Sequence, residues 1–415
     1  MRGDAIASQP SEVALVKSVT STLKNSLGRC LLVSISAVAP LTLAGCGDVF
    51  FPPFIGSPSG TPLTEFSEPI PGPSAEGPLA VLRSAVSPLP ETTAANPAKV
   101  TLGRRLFHDP ILSGDGTLSC SSCHSLDHGG AEARVSSVGI RGQVGPINSP
   151  TVLNSRYNFV QFWDGRAADL REQAGGPIAN PGEMGSSLEA AVAALRNSPQ
   201  YPALFTAAYS DGVTADNLRD AIAAYEETLV TPSRVDRFLK GDERALSADE
   251  RAGAELFVST GCVTCHQGVN FGGTSFQRMG AVRNYFAERG TPLTDADNGR
   301  YNRTHNEADR HFFKVPTLRN VSLTGPYLHD GSRTTLDDTV RVMARYQLGR
   351  ELTAEQVAHL VSFLTALTGE LSPDARLPAG ELPPPPAAPV AGPAAPGAPA
   401  AARPAAAARP AVAAH

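Results

Sequence analysis

The most reactive side chains of the chain fall in two five-residue stretches, Cys120-Ser-Ser-Cys123-His124 and Cys262-Val-Thr-Cys265-His266. A bare Cys-x-x-Cys is compatible with a redox dithiol or with half a zinc site. The histidine directly behind it points elsewhere, because Cys-x-x-Cys-His is the attachment pattern of c-type haem. The cysteines bond the porphyrin vinyl groups as thioethers, and the histidine is placed to ligate iron from one face. Two copies in one chain imply two covalent haems.

The remaining cysteines, Cys30 and Cys46, flank the apolar run Leu31 to Gly45, with Lys17, Lys24 and Arg29 ahead of it. A basic region, a short apolar stretch and small residues before a cleavage point describe an export signal. The run contains Pro40 and is short for a bilayer span. Its end, Leu43-Ala44-Gly45-Cys46, resembles the lipobox of bacterial lipoproteins, whose cysteine is lipidated and becomes the first mature residue. An ordinary signal with a chance cysteine is the plainer alternative. The expectation is a periplasmic protein anchored to a membrane by lipid, with residues 1–45 removed as the signal.

Each haem motif needs a helix leading into it and another closing behind it. Gly103-Arg-Arg-Leu-Phe107 stands before the first and Gly253-Ala-Glu-Leu-Phe257 before the second. Behind the first, Leu218, Ile222, Tyr225 and Leu229 share one helical face. Val357, Leu360, Val361, Leu364 and Leu367 do so behind the second. No sustained strand alternation or hairpin signature interrupts this plan. The fold expected is mainly α, with two cytochrome c-like domains each carrying one covalent haem. Pro232 ends the first closing helix, which gives domains at 97–235 and 236–370.

The composition agrees. The chain has 415 residues, 41% hydrophobic and 18% charged, with a net charge of −5. These values exclude a membrane transporter and a fully disordered chain. They also leave no cationic footprint for nucleic acid. Of 36 prolines, 11 lie between Gly47 and Pro97 and 12 between Leu371 and His415. Residues 46–96 therefore read as a Pro-rich linker and 371–415 as an extended, unpacked Pro/Ala-rich tail. The stretch between them is large enough for two small domains.

Longer motifs carry a resemblance. Leu102-Gly-Arg-Arg-Leu-Phe, Leu112-Ser-Gly-Asp-Gly-Thr-Leu-Ser-Cys120, Gln161-Phe-Trp-Asp-Gly-Arg-Ala167, Pro177-Ile-Ala-Asn-Pro-Gly-Glu-Met184, Phe313-Lys-Val-Pro-Thr-Leu-Arg-Asn320 and Pro326-Tyr-Leu-His-Asp-Gly331 are similar, in order and spacing, to the bacterial dihaem cytochrome c peroxidase family, which includes the MauG-type enzymes. The likeness runs from Pro97 to Glu370. It implies reduction of hydrogen peroxide to water, with electrons from a small cytochrome c or cupredoxin. Members of the family are often homodimers, which makes a second copy of the chain a further expected partner.

The resemblance also implies roles. The haem held by Cys120, Cys123 and His124 becomes the peroxide site, with Glu183 as the proton-moving carboxylate and Gln173 as a polar group orienting peroxide. The haem held by Cys262, Cys265 and His266 becomes the electron-accepting centre, with Met343 as its second axial ligand, since methionine ligation raises a haem's potential. Trp163 would relay electrons between the two. A calcium ion is implied at Asn148, Thr324 and Pro326. Taken without the motifs, Met343 reads as a core methionine, Glu183 as a solvated loop acid, Trp163 as packing and Asn148 as a turn former. Met184 and Met279 read as packing residues.

One departure matters. Many members carry a second histidine on the peroxidatic haem about sixteen residues after the motif histidine, and it must leave before peroxide binds. Here that position is Ile140, which cannot ligate iron. His128 is the nearest histidine, only four residues past His124. The expectation is a peroxidase that needs no reductive activation. The competing readings are a MauG-like oxidase of a large substrate, whose second haem carries tyrosine where Met343 stands, and a non-catalytic dihaem electron carrier.

Overall fold

The computed structural model describes residues 77–91, 96–378 and 381. The export signal, the lipobox at Cys46 and the tail beyond Glu381 lie outside the described residues. Among those described, no helix is long and apolar enough to cross a membrane.

Two helix pairs organise the chain. In the first half, the helix Pro97–His108 packs on Ala215–Glu226; in the second, Ala248–Ser259 packs on Ala354–Ala366. Each helix starts on a side-chain cap. Asn96 and Thr214 accept from the first-turn amides of Ala98 and Asn217, while Ser247/Glu250 and Thr353/Gln356 form reciprocal capping boxes. Two glycines at equivalent places in the two halves allow the close crossing. A Cβ on Gly103 would sit 1.8 Å from the Ala221 carbonyl oxygen, and one on Gly253 would sit 1.9 Å from that of His359. Backbone cannot yield as a side-chain end does. Gly103→Ala and Gly253→Ala are therefore each expected to cost about 1–3 kcal/mol, as overpacking does, read as a lower melting midpoint.

The first core gathers Leu102, Leu106, Ile178, Leu195, Phe205, Leu218 and Ile222. The second gathers Val235, Phe238, Phe257, Phe271, Leu360 and Phe363, with Phe257, Phe271 and Phe363 in mutual ring contact. The expected helical faces are buried in both, except that Val361 is half-buried, and Leu229 and Leu367 are buried just beyond their helix ends. Val235 and Phe238 lie on the helix Arg234–Leu239, so the second core already begins before residue 236. Upstream of it, Asn154 and Asn320 both bond the buried Thr231 hydroxyl and close the junction.

Three expectations need correction. The stretch 46–96 is not linker throughout, because Pro78–Ala85 forms a helix packed on Ala248–Ser259. Leu82, Val86 and Leu89 are buried there, and the Leu89 amide donates to Asp236 at 2.7 Å. Its Leu79, Leu82, Val86 spacing is helical, but eight residues among prolines are a weak signal. The tail 371–415 does not leave the protein at Leu371. Residues 373–375 turn back onto the first half, where Ala375 is buried and its carbonyl accepts the Tyr225 hydroxyl at 2.7 Å. A sheet also exists, an antiparallel ribbon of β1 (Phe276–Arg278) and β2 (Phe312–Lys314), with Gln277 opposite Phe313. Three-residue strands this far apart show no alternation to read. The Lys314 amide donates to the Trp163 carbonyl at 2.8 Å and ties the ribbon to the first half.

Candidate active site

Both haem motifs open on cavities. Cys120–Cys123 is a single helical turn, and its two thiols, with His124, line a cavity of about 1540 Å³ including its mouth. Cys262, Cys265 and His266 line a second of about 1400 Å³. All four thiols are free, and burial pushes their pKa values up. A redox dithiol is tuned in the opposite direction. Each histidine is oriented through its Nδ1, which lies 3.3 Å from the Gly130 carbonyl for His124 and 3.1 Å from that of Phe271 for His266. A backbone acceptor fixes that nitrogen as the protonated one and leaves Nε2 as the ligand atom. Burial holds both rings neutral, His266 down to about 4. Neutral imidazole is the form that binds iron, so these residues fit haem.

The helix Leu170–Ala179 supplies the polar wall of the first cavity. Leu170, Gln173, Ala174 and Pro177, spaced as one helical face, all line it. The following loop is pinned by its own bonds, with Asn180 Oδ1 accepting the Gly182 amide and the Pro177 carbonyl accepting the Met184 amide. This brings Glu183 to the cavity, with its Oε1 accepting Asn180 Nδ2 at 2.7 Å and its Oε2 without a hydrogen bond among the described residues. Burial raises the Glu183 pKa against the opposing pull of Arg166 and Asn180. A carboxyl poised above its usual range can hold and return a proton.

Ile140 does not line the cavity. It is 2% exposed, its amide donates to the Glu183 carbonyl at 2.8 Å, and its Cδ1 packs on Gly185. The neighbouring Gly139 lies against the Gly182 carbonyl, where a Cβ would come within 1.9 Å. The loop bearing Ile140 is thus packed on the loop bearing Glu183. Among the described residues His124 is the one histidine on this cavity's wall, and His128 sits exposed beside Ser125.

In the second cavity, Thr339, Met343 and Gln347 project at four-residue intervals from the helix Leu336–Leu348. Met279 lines the same wall, and Met184 lines the first cavity, although both also belong to apolar clusters. Asn148, Thr324 and Pro326 line the second cavity together. Asn148 Nδ2 donates to the Arg134 and Val135 carbonyls, which leaves Oδ1, the oxygen a hard cation prefers, without a bonded donor among the described residues. Nearby, His329 Nε2 meets Asp297 at 2.7 Å, and Arg289 holds that carboxylate in a fork.

The two cavities share a wall of Asn148, Ser149, Pro150, Thr151, Asn158, Trp163 and Lys314. Trp163 is held there by its indole N–H donating to the Asn148 carbonyl at 2.9 Å, with Phe313 edge-on. The expected residues Cys120, Cys123, His124, Gln173 and Glu183 therefore meet in one cavity, Cys262, Cys265, His266 and Met343 in the other, and Trp163 stands between them. Two cavity residues escaped the sequence reading. Glu226 is buried against the first cavity with Oε2 unpartnered among the described residues, and burial pushes its pKa up to about 8. It lies one turn past Ile222 on the buried face of its helix, the one available signal. Lys314 ends β2, where it takes the face opposite to Phe313.

Two Cys-x-x-Cys-His motifs in mainly helical halves, each lining its own cavity, with Trp163 on the shared wall and Glu183 on the wall of the first, point to a dihaem oxidoreductase. The family model described as di-haem cytochrome c peroxidase matches residues 97–244. A cytochrome c551 peroxidase of Nitrosomonas europaea is 50% identical over 71% of this chain and 86% of its own. A cytochrome c peroxidase of Escherichia coli is 48% identical over 69% of this chain and 62% of its own. A solved structure of a MauG-like protein associated with microbial copper homeostasis matches with a TM-score of 0.61 and 28% identity, over 70% of this chain and 95% of that one. The chain belongs to the di-haem cytochrome c peroxidase family, whose members are oxidoreductases with two c-type haems.

Proposed function

We propose that this protein reduces hydrogen peroxide to water with electrons from a small periplasmic redox protein, and that it does so without prior reduction of its second haem. The observation that carries the second half is the first cavity itself. Among the described residues its wall holds one histidine, and the residue at the family's second-ligand position, Ile140, is packed on Gly185 instead. When bound, the first haem supplies an iron with an open face for peroxide, and the second supplies an electron store.

The side chains then divide the work. Glu183 Oε2 takes the proton from the inner peroxide oxygen and returns it to the outer one, while Asn180 steadies Oε1. Gln173, fixed on its helix, orients the peroxide. Trp163, on the wall shared by the two cavities, relays electrons between them. Met343, on the wall of the same cavity as His266, would serve as a further ligand of the second haem and raise its potential. Asn148 by its side chain and Thr324 and Pro326 by their backbone carbonyls would hold a calcium ion, whose hard charge suits oxygen ligands. Export and lipidation at Cys46 would place the protein in the periplasm on a membrane.

The test is peroxide-dependent oxidation of a reduced small cytochrome by protein taken fully oxidised. Turnover from the first mixing is expected. A lag abolished by pre-reduction overturns the ungated reading, and no turnover under either condition favours a plain electron carrier.

A further inference from the structure

Lys314 is a charge without a partner. It is 5% exposed, and no hydrogen bond or ion pair reaches its ammonium among the described residues. Burial alone lowers its pKa, to about 8, with no acid near enough to oppose it. An isolated buried ammonium is costly and persists where a counter-charge arrives. Its place shows which one. Lys314 lies on the wall common to the two cavities, and among the described residues it is the one Lys, Arg, Asp or Glu lining the second. The register of β2 dictates this: Phe313 turns toward Trp163 and His329, so Lys314 takes the opposite face.

A porphyrin of the c type brings two carboxylates, and this inference rests on the two-haem reading. We propose that the Lys314 ammonium is the shared counter-charge for porphyrin carboxylates entering from both cavities, a positioning residue that seats the two macrocycles and favours their reduction. Lys314 then acts on both haems at once without touching peroxide. A cation beside each macrocycle stabilises the form carrying the extra electron, so its removal disfavours reduction of both.

The experiment is a potentiometric titration of the holoprotein at pH 8, with haem counted per chain, for wild type, Lys314→Met and Lys314→Arg. In Lys314→Met, both reduction constants are expected to fall about tenfold, 59 mV for a one-electron couple, and the propionate-bending bands of both haems shift in resonance Raman spectra. Lys314→Arg restores both constants to within about twofold of wild type, by keeping the charge. Two haems per chain with either couple unmoved in Lys314→Met overturns the shared role, as does an arginine variant as displaced as the methionine one. Lys314→Gln replaces Lys314→Met where the latter is not recovered folded. Fewer than two haems in the wild type contradicts the two-haem reading instead.

Discussion

Replacing Glu183 by glutamine is expected to lower peroxide turnover by about 10²–10⁴-fold, the usual share of a positioned acid–base group, with haem content and the second haem's potential unchanged. Glutamine keeps the size and one oxygen for Asn180 but cannot take a proton. The loop should hold, because its bonds to Gly182, Met184 and Gly185 are made by Asn180 and Pro177 rather than by the Glu183 side chain. The pH profile carries a second signature. Burial sets the Glu183 pKa above its ordinary value, and the base form is the active one. Activity is therefore full well above that raised pKa and is lost as pH falls through it. The acid limb lies at higher pH than for an ordinary carboxylate, and it vanishes in Glu183→Gln. A pH-rate profile of both proteins reads the effect, and an unchanged limb in the variant assigns it elsewhere.

Asp236→Ala is expected to cost about 3–5 kcal/mol of stability, the range for stranding one member of a buried ion pair. Arg319 is fully buried and gives both Nη atoms to Asp236 at 2.9 Å, with its Nε on the Val269 carbonyl. Asp236 also accepts the Leu89 and Ser233 amides at 2.7 Å. One carboxylate thus joins the N-terminal segment, the junction between the halves and the loop leading from β2. Burial pushes its pKa up, but the Arg319 bonds and charge outweigh it and leave the pKa below the ordinary value. A depressed folded pKa contributes stability that is present above the unfolded value and lost as pH falls through the folded one. Denaturation midpoints of wild type and variant should differ most near neutrality and converge only in acid.

Chemistry was legible in this sequence wherever it was written into short contiguous spacing. Cys-x-x-Cys-His names its ligands directly, and the longer motifs carried Glu183, Gln173 and Trp163 to the positions where the structure brings them together. The leading and closing helices were legible because each buries a stripe four residues apart. Long-range pairing was not. β1 and β2 are too short for a period of two, and their register places Lys314 on the shared wall. Glu226 was invisible for a related reason, since an acid near a helix end reads as solvent-facing until its neighbours are known. Proline content misled at both flanks. It is a property of composition, whereas the order of residues 78–91 and 373–375 comes from Leu82, Val86 and Ala375 finding cores elsewhere.

With Ile140 packed on Gly185 where the family carries a second histidine, the first haem is expected to stand open. An EPR and absorption spectrum of the fully oxidised holoprotein, before and after one-electron reduction, tests it most directly. A high-spin component present from the start, undiminished on half reduction, is the predicted result. A wholly low-spin spectrum that turns partly high-spin only on half reduction would contradict the account, because it would mean that another side chain occupies the iron and that the enzyme is gated.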